Sequence, residues 1–164
     1  MGGMVDVREA GPDDWEVLRE VRLAALAEAP YAFGSTYARE VSFAEEQWRG
    51  RLLSRSVTFF AFAGATADAK PAGLAGVYEE DGVADLVSMW VRPAARGHGV
   101  GEALIMAAAG WAKTHEHETL YLWVTESNAA ARKLYERSGF TVTGERQPLP
   151  SDSSLDEVRM RRSL

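Results

Sequence analysis

Not one cysteine occurs among the 164 residues. A chain without thiols has no disulfide scaffold, no thiolate metal site and no cysteine nucleophile, and it fits a reducing, cytoplasmic setting. Positive charge is also scarce. Lys and Arg number 18 against 24 Asp and Glu, which leaves a formal net charge of −6 and a pI near 5.1. Such a surface repels phosphate backbones, so nucleic acid is not expected as a main partner, while a cationic substrate is mildly favoured. Long apolar runs are missing too. Nothing approaches the roughly 20 consecutive apolar residues of a membrane span, so no membrane partner is expected. The opening MGGMVDVREA holds no apolar core of signal-peptide length. Asp6 stands where a myristoylation signal needs Ser or Thr, and residues 1–3 are given no role.

What is present reads as an ordinary globular chain, with 46% hydrophobic and 26% charged residues. No repeat, low-complexity tract or long linker interrupts it, so residues 1–164 are expected to form one domain. MVDVREA reads as a strand. The segment GPDDWEVLREVRLAALAEA reads as an amphipathic helix, with Trp15, Leu18, Val21, Arg22 and Ala25 at three- and four-residue spacing. After the break PYAFGSTYAREV, a second helix is predicted over residues 42–55, with Ser42 as N-cap and Glu45 completing a capping box. Trp48 and Leu52 belong to its core face.

SVTFFAFAGA, PAGLAGVYEE and VADLVSMWVRP read as strands, the last two joined by the hairpin signal Asp81-Gly82. GEALIMAAAGWAKTHEHE is a helix with Val100, Leu104, Ala108 and Trp111 on one face. TLYLWVT is a strand. SNAAARKLYERSG is a helix capped by Ser127 or Asn128 and ended by Gly139. FTVTGERQ and LDEVRMRRSL are closing strands, with PLPSDSS as the loop between them. Helices distributed among strands imply a mixed α/β sheet with helices on its faces.

The sharpest local signal is VRPAARGHGVGEAL. Gly97, Gly99 and Gly101 sit where a strand turns into a helix, with Arg96 beside them. Free N–H groups and the dipole at a helix start favour an anion, and glycines let backbone approach it closely, so the loop reads as a phosphate cradle. It is not a P-loop, because Glu102 follows Gly101 where Lys is needed. Nor is it a dinucleotide fingerprint, since the final glycine falls on Glu102 or Leu104 in either register.

The spacing Arg96-x-x-Gly99-x-Gly101 after VRP resembles the acetyl-CoA pyrophosphate loop of the GCN5-related N-acetyltransferase (GNAT) family. A second motif of that family matches ESNAAARKLYERSGF, residues 126–140. The resemblance extends in element order along nearly the whole chain. It implies a central, mostly antiparallel mixed sheet of about seven strands flanked by four helices. It also implies an enzyme that moves an acetyl group from acetyl-CoA to a primary amine by direct attack in a ternary complex. A small-molecule amine is favoured; a protein N-terminus or lysine, and a non-catalytic acyl-CoA-binding module, are the alternatives. Family members are often dimers.

Carried over residue by residue, the resemblance gives residues 89–91 (Met89, Trp90, Val91) the pantetheine arm. The Met89 N–H faces the thioester oxygen. Arg96, Gly97, His98, Gly99, Val100, Gly101 and Glu102 hold the pyrophosphate through backbone amides. Asn128 and Ala131 contact the cofactor, and Tyr135 is the general acid. A phenol of pKa about 10 suits a leaving thiolate. The general base is less defined. Glu79, Glu80 and Asp85 flank the central hairpin, and Ser88 offers to hold a water. TLYLWVTESNAAARKLYERSGF is similar to the matching segment of bacterial ribosomal-protein N-terminal acetyltransferases, but Trp123 replaces their catalytic Glu. That base is therefore not carried over, and Trp123 suggests an aromatic acceptor pocket or core packing. Tyr31, Phe33, Tyr37 and Glu40 are candidates for the acceptor side, with Glu40 pairing a cationic amine. The HEHE stretch at residues 115–118 lacks a third ligand, and no metal is expected.

Overall fold

The computed structural model describes residues 4–53, 56–64 and 70–164. Residues 1–3, and the last two of the helix predicted over 42–55, lie outside them. Seven strands form one sheet: β1 (Val5–Glu9), β2 (Ser56–Ala63), β3 (Gly73–Glu80), β4 (Val83–Val91), β5 (Thr119–Thr125), β6 (Thr141–Leu149) and β7 (Asp152–Ser163). Four long helices accompany it: α1 (Trp15–Glu28), α3 (Glu45–Leu53), α4 (Val100–Thr114) and α5 (Ala129–Arg137), with a single turn α2 (Tyr37–Glu40) between the first two. The strand order is β1-β2-β3-β4-β5-β7-β6, and β4–β5 is its one parallel pair among the described residues. This is the mostly antiparallel mixed sheet with four helices that the sequence leads one to expect.

Strand alternation sorts the apolar side chains into two cores. Phe59 and Phe60 are consecutive in β2 and point to opposite faces. Phe59 joins Val77, Leu86, Leu104, Ala108, Leu120 and Met160 beneath α4 and α5. Phe60 joins Val21, Leu26, Trp48, Leu74 and Trp90 beneath α1 and α3.

Three local expectations are corrected. Ser42 does not cap α3. Its hydroxyl donates to the Arg39 carbonyl at 3.1 Å, closing α2, while the Ala44 N–H donates to Gln47 Oε1 at 2.9 Å. The preceding turn lay nearer and offered an unpaired carbonyl. PYAFGSTYAREV is not merely a break: it holds a 3-10 turn at Pro30–Ala32 and then α2, capped where Thr36 Oγ1 accepts the Arg39 N–H at 3.2 Å. PLPSDSS is mostly strand, turning only at Pro150 and Ser151, because β6 is an edge strand on which Pro148 is tolerated.

The sheet's functional geometry lies between β4 and β5. They pair only where Ala84, Asp85 and Leu86 meet Leu120, Tyr121 and Leu122. Beyond Leu86 the two strands part. There β4 also carries one more residue than β3 opposite, since Gly76 faces Val87 while Leu74 faces Trp90. The extra residue is a bulge at Ser88, whose φ is +60°.

Candidate active site

The parting strands open a cleft of about 380 Å³. β4 supplies Ser88 and Met89 to its lining, β5 supplies Trp123, and the first turns of α5 supply Asn128, Ala131 and Tyr135. Phe33, from the segment after α1, closes one side. The Arg92 N–H donates to the Ala72 carbonyl at 2.7 Å, on the β3 side. Alternation therefore turns the N–H and C=O of Val91 toward the gap.

The glycine loop sits at the end of β4. Gly97 and Gly99 have φ of +82° and +84°, and a Cβ added to either would meet nothing within 4 Å. Gly99 caps α4 without a side chain, so the N–H groups of Val100, Gly101 and Glu102 have no acceptor within the helix. Gly101 has a different task. A Cβ there would stand 2.8 Å from Leu134 Cδ2 and 3.3 Å from Met89 Cε, so its smallness lets α4 close against α5. The Val100 side chain is buried in the core and His98 is exposed. Two glycines thus shape an open loop and the third is a packing residue. The loop and the gap suit the phosphates and the extended arm of an acyl-CoA.

Arg96 does not point into the loop. Its Nε donates to the Val91 carbonyl at 3.0 Å, and its guanidinium pairs with Glu28. Glu28 also accepts the Trp90 indole N–H at 3.0 Å, and the Trp90 ring is buried in the α1 core rather than in the cleft. Donation from Trp90, helped by Arg96, holds the Glu28 carboxyl below the usual carboxylate range.

Tyr135 is 6% exposed and sets its ring edge-on to Phe140 at 5.8 Å. Its hydroxyl has no hydrogen-bond partner among the described residues, and burial pushes its pKa up, keeping the phenol protonated. Asn128 caps α5, its Oδ1 accepting the Ala131 N–H at 3.3 Å.

The acceptor side departs from expectation at several residues. Glu40 is not in the cleft. It is fully buried, clamped by Arg22 Nε and Nη2 at 3.0 Å each and by Arg51 Nη1 at 3.0 Å. Against the cost of burial, the Arg22 bonds hold its pKa at about 2. A carboxylate so occupied has no capacity left for an amine. Tyr31 is 44% exposed and contributes only its carbonyl, which accepts from Thr125 Oγ1 at 2.6 Å. Tyr37 is also exposed. Glu79 pairs with His117 at 2.6 Å away from the cleft, and Glu80 does not line it either. Asp85 does line the cleft but is paired with Arg159, whose guanidinium lies over the Tyr121 and Trp123 rings. Ser88 is held by Arg22 Nη1 at 3.0 Å, and Arg22 lies over Phe33.

One cleft carboxylate was absent from the sequence reading. Glu157 of β7 is 7% exposed, lies in register with Thr125 of β5, and accepts from Gln147 Nε2 at 2.6 Å. It forms no ion pair among the described residues. LDEVRMRRSL alternates Glu157 and Arg159 with apolar Val158 and Met160, but a polar strand face reads as solvent until its neighbour across the gap is known.

Comparison with known proteins agrees with this geometry. Residues 19–140 match the family model of the acetyltransferase (GNAT) family. The chain is 31% identical over 147 residues to a mycothiol acetyltransferase of Mycolicibacterium paratuberculosis, covering 81% of this chain and 45% of that one. It spans less than half the length of the mycothiol acetyltransferases it matches. Among solved structures, a GCN5-related N-acetyltransferase from Kribbella flavida superposes with a TM-score of 0.76 at 26% identity, covering 98% of both chains. The ribosomal-protein-S18-alanine N-acetyltransferase of Escherichia coli shares the fold, with a TM-score of 0.69 at 21% identity over 98% of this chain and 94% of that one. Parted central strands, a bulge, an open glycine loop and a matching family model over most of the chain lead to one assignment: the chain belongs to the acetyltransferase (GNAT) family.

Proposed function

We propose that the protein transfers an acetyl group from acetyl-CoA to a primary amine on a small molecule, by direct attack with both substrates bound. The observation that carries this reading is the gap between β4 and β5, bordered by Val91 backbone groups that bond to no neighbouring strand and leading to Tyr135. Acetyl-CoA supplies an activated thioester carbonyl.

The chain's own groups do the rest. The amides at the start of α4 and of the loop before it hold the pyrophosphate. Val91 pairs with the pantetheine arm, which requires Arg96 to leave the Val91 carbonyl. Asn128 and Ala131 border that arm. The Met89 N–H, on the gap side two residues before Val91, meets charge developing on the carbonyl oxygen. Tyr135, kept protonated by burial, donates to the departing sulfur. Ser88, fixed by Arg22, Phe33 and Trp123 border the amine.

The preference for a small acceptor rests on the cleft's roof. Gly34 packs against Pro150, and the Ser151 hydroxyl bonds to the Phe33 carbonyl. The segment after α1 is thereby tied to the β6–β7 turn, over a cleft of about 380 Å³. That space suits a compact amine better than an extended polypeptide.

Calorimetry with acetyl-CoA, followed by a thiol-release screen over amines, amino acids and peptides, tests the reading. Binding with release for small amines is expected. Release with peptides alone overturns the small-molecule assignment. Binding without release across the panel assigns a non-catalytic acyl-CoA-binding module instead. Tyr135→Phe should lower kcat by about 10²-fold or more with acetyl-CoA affinity unchanged, in line with general acid catalysis.

A further inference from the structure

We propose that Glu157 is the acceptor-side carboxylate, seating the substrate's ammonium group and taking its proton before attack. The inference rests on the acetyltransfer reading above and adds to it the missing base and a requirement for a cationic acceptor.

Arg22 from α1 is matched by Glu40 behind it, and Arg159 from β7 is matched by Asp85 from β4. Among the described residues Glu157 forms no ion pair; its hydrogen-bond partner is the neutral Gln147 amide from β6, and Arg159, already paired with Asp85, acts on it only as a nearby charge. At 7% exposure, Glu157 thus lies on the wall of the cleft without an ion-pair partner among the described residues. Gln147 binds Oε1, which leaves Oε2 for a ligand. Aromatic rings of Trp123, Tyr78 and Phe33 line the same space, an environment that accepts a cation with an apolar stem. Buried carboxylates are rarely left without a cation, because the charged form is costly to desolvate. A substrate ammonium group fills that role.

Geometry alone gives Glu157 a recognition role; its titration suits it to a proton transfer as well. Burial raises its pKa, with the Gln147 amide and the Arg159 charge opposing. The other titratable groups on the cleft are Tyr78 and Tyr135, with Asp85 and the two arginines already paired. A carboxylate of raised pKa is a stronger base toward an ammonium of pKa near 10.4, of which about one part in 10³ or fewer is neutral at pH 7.

The ammonium gives one proton to Glu157 and becomes a neutral amine. Its lone pair forms the C–N bond to the thioester carbonyl carbon. The C–S bond breaks with its electron pair on sulfur, which takes the Tyr135 proton. The surplus proton on nitrogen returns to the Tyr135 phenolate, and Glu157 passes its proton to water. The products are an amide, a free thiol and one released proton.

The test compares wild type with Glu157→Gln, which keeps the shape and the Gln147 acceptor. Each is assayed for thiol release from acetyl-CoA with tyramine, spermidine, glycinamide and a peptide with a free N-terminal Ala, from pH 6 to 10. With the best acceptor of that panel, kcat/KM should fall at pH 7 by about 10²- to 10³-fold for an alkylamine and by about tenfold for an α-amine of pKa near 8, the scarcity of neutral amine in each case. The gap should close toward pH 10, where the amine deprotonates unaided. Calorimetric affinity of the CoA-saturated protein for the same amine should weaken at least about tenfold at pH 7, while acetyl-CoA affinity stays level. Glu157→Asp keeps the charge and should retain the wild-type pH profile at reduced rate, which serves if the Gln variant folds poorly. Unchanged turnover in Glu157→Gln overturns the proposal, and so does a loss that is constant across pH. A wild type that turns over none of the panel instead defeats the acetyltransfer reading, and this inference with it.

Discussion

Arg22 shows how one side chain ties the core to the cleft. Its guanidinium spends two donors on buried Glu40 and a third on Ser88 Oγ, at the bulge of β4. Breaking a buried pair by removing one partner typically costs about 3–5 kcal/mol. Glu40→Ala should therefore lower stability by that order, seen in urea unfolding at pH 7. The pH dependence follows from the Glu40 pKa, held at about 2 against an ordinary 4.5. A carboxyl whose folded pKa is depressed stabilises the fold fully above its unfolded value and loses that contribution as pH falls toward its folded one. Wild-type stability attributable to this pair should thus decline from about pH 4.5 to about pH 2, and the decline should be weaker in Glu40→Ala. Acid melts of the two proteins at matched ionic strength check this; parallel curves would remove the linkage. At this scale the sequence pointed Glu40 toward a substrate amine, whereas its cations are Arg22 and Arg51 of the same chain. Arg22 was read as one residue of an amphipathic stripe, and nothing in the chain pairs positions 22 and 40 until α1 and α2 pack.

At the scale of elements, the β4–α4 junction divides its glycines between two physical tasks. Gly99 needs a left-handed backbone and faces open space, whereas Gly101 needs only the absence of a Cβ. The two substitutions should therefore fail in different ways. Gly99→Glu places a bulky anion where backbone N–H groups face outward. It should abolish acetyl-CoA binding while costing only the ~1–2 kcal/mol of a left-handed non-glycine residue. Gly101→Ala brings a methyl against the tips of Leu134 and Met89, which must turn aside, and should cost about 1 kcal/mol, the low end of overpacking. Its Tm falls more than its residual acetyl-CoA affinity. Paired melting and calorimetry separate them; the same profile for both variants would count against the division.

The same junction shows what a linear pattern carries. Strand, glycines and helix were all legible, and so was their order. The tertiary reason for Gly101 was not, because Leu134 lies 33 positions away along the sequence. Likewise the polar alternation of β7 was visible, but its polar face borders a cleft rather than solvent only because β7 pairs with β5 just where β5 leaves β4.

For the molecule as a whole, the strands and helices and their order along the chain were largely legible from alternation and periodicity, and the mostly antiparallel sheet of about seven strands came with the family resemblance. The opening beside residues 89–91 was carried by the family resemblance and not by the strand's own pattern, because a bulge of one residue leaves no compositional mark at Ser88. A donor that fills the opening binds the folded chain and not the unfolded one. At a concentration of 100 times Kd this stabilises by about 2.7 kcal/mol. For a chain of 164 residues that corresponds to a rise in Tm of roughly 5–10 °C. Thermal unfolding with and without acetyl-CoA reads it directly, and an unmoved Tm at saturation would mean that the opening does not hold the donor.

The three-pair seam between β4 and β5 has a further consequence. Four strands lie on one side of it and three on the other, and across the seam the backbone ladder is a short zipper. The molecule is laced rather than welded along its middle. In the function proposed above, an extended donor arm lies beside β4 and supplies the rungs that the chain itself omits, acting as a removable eighth strand. On that view, turnover includes a mechanical cycle: the sheet is splinted while the donor is present and unlaced as the thiol departs. Backbone amides such as that of Val91 should exchange with solvent deuterium in step with that cycle.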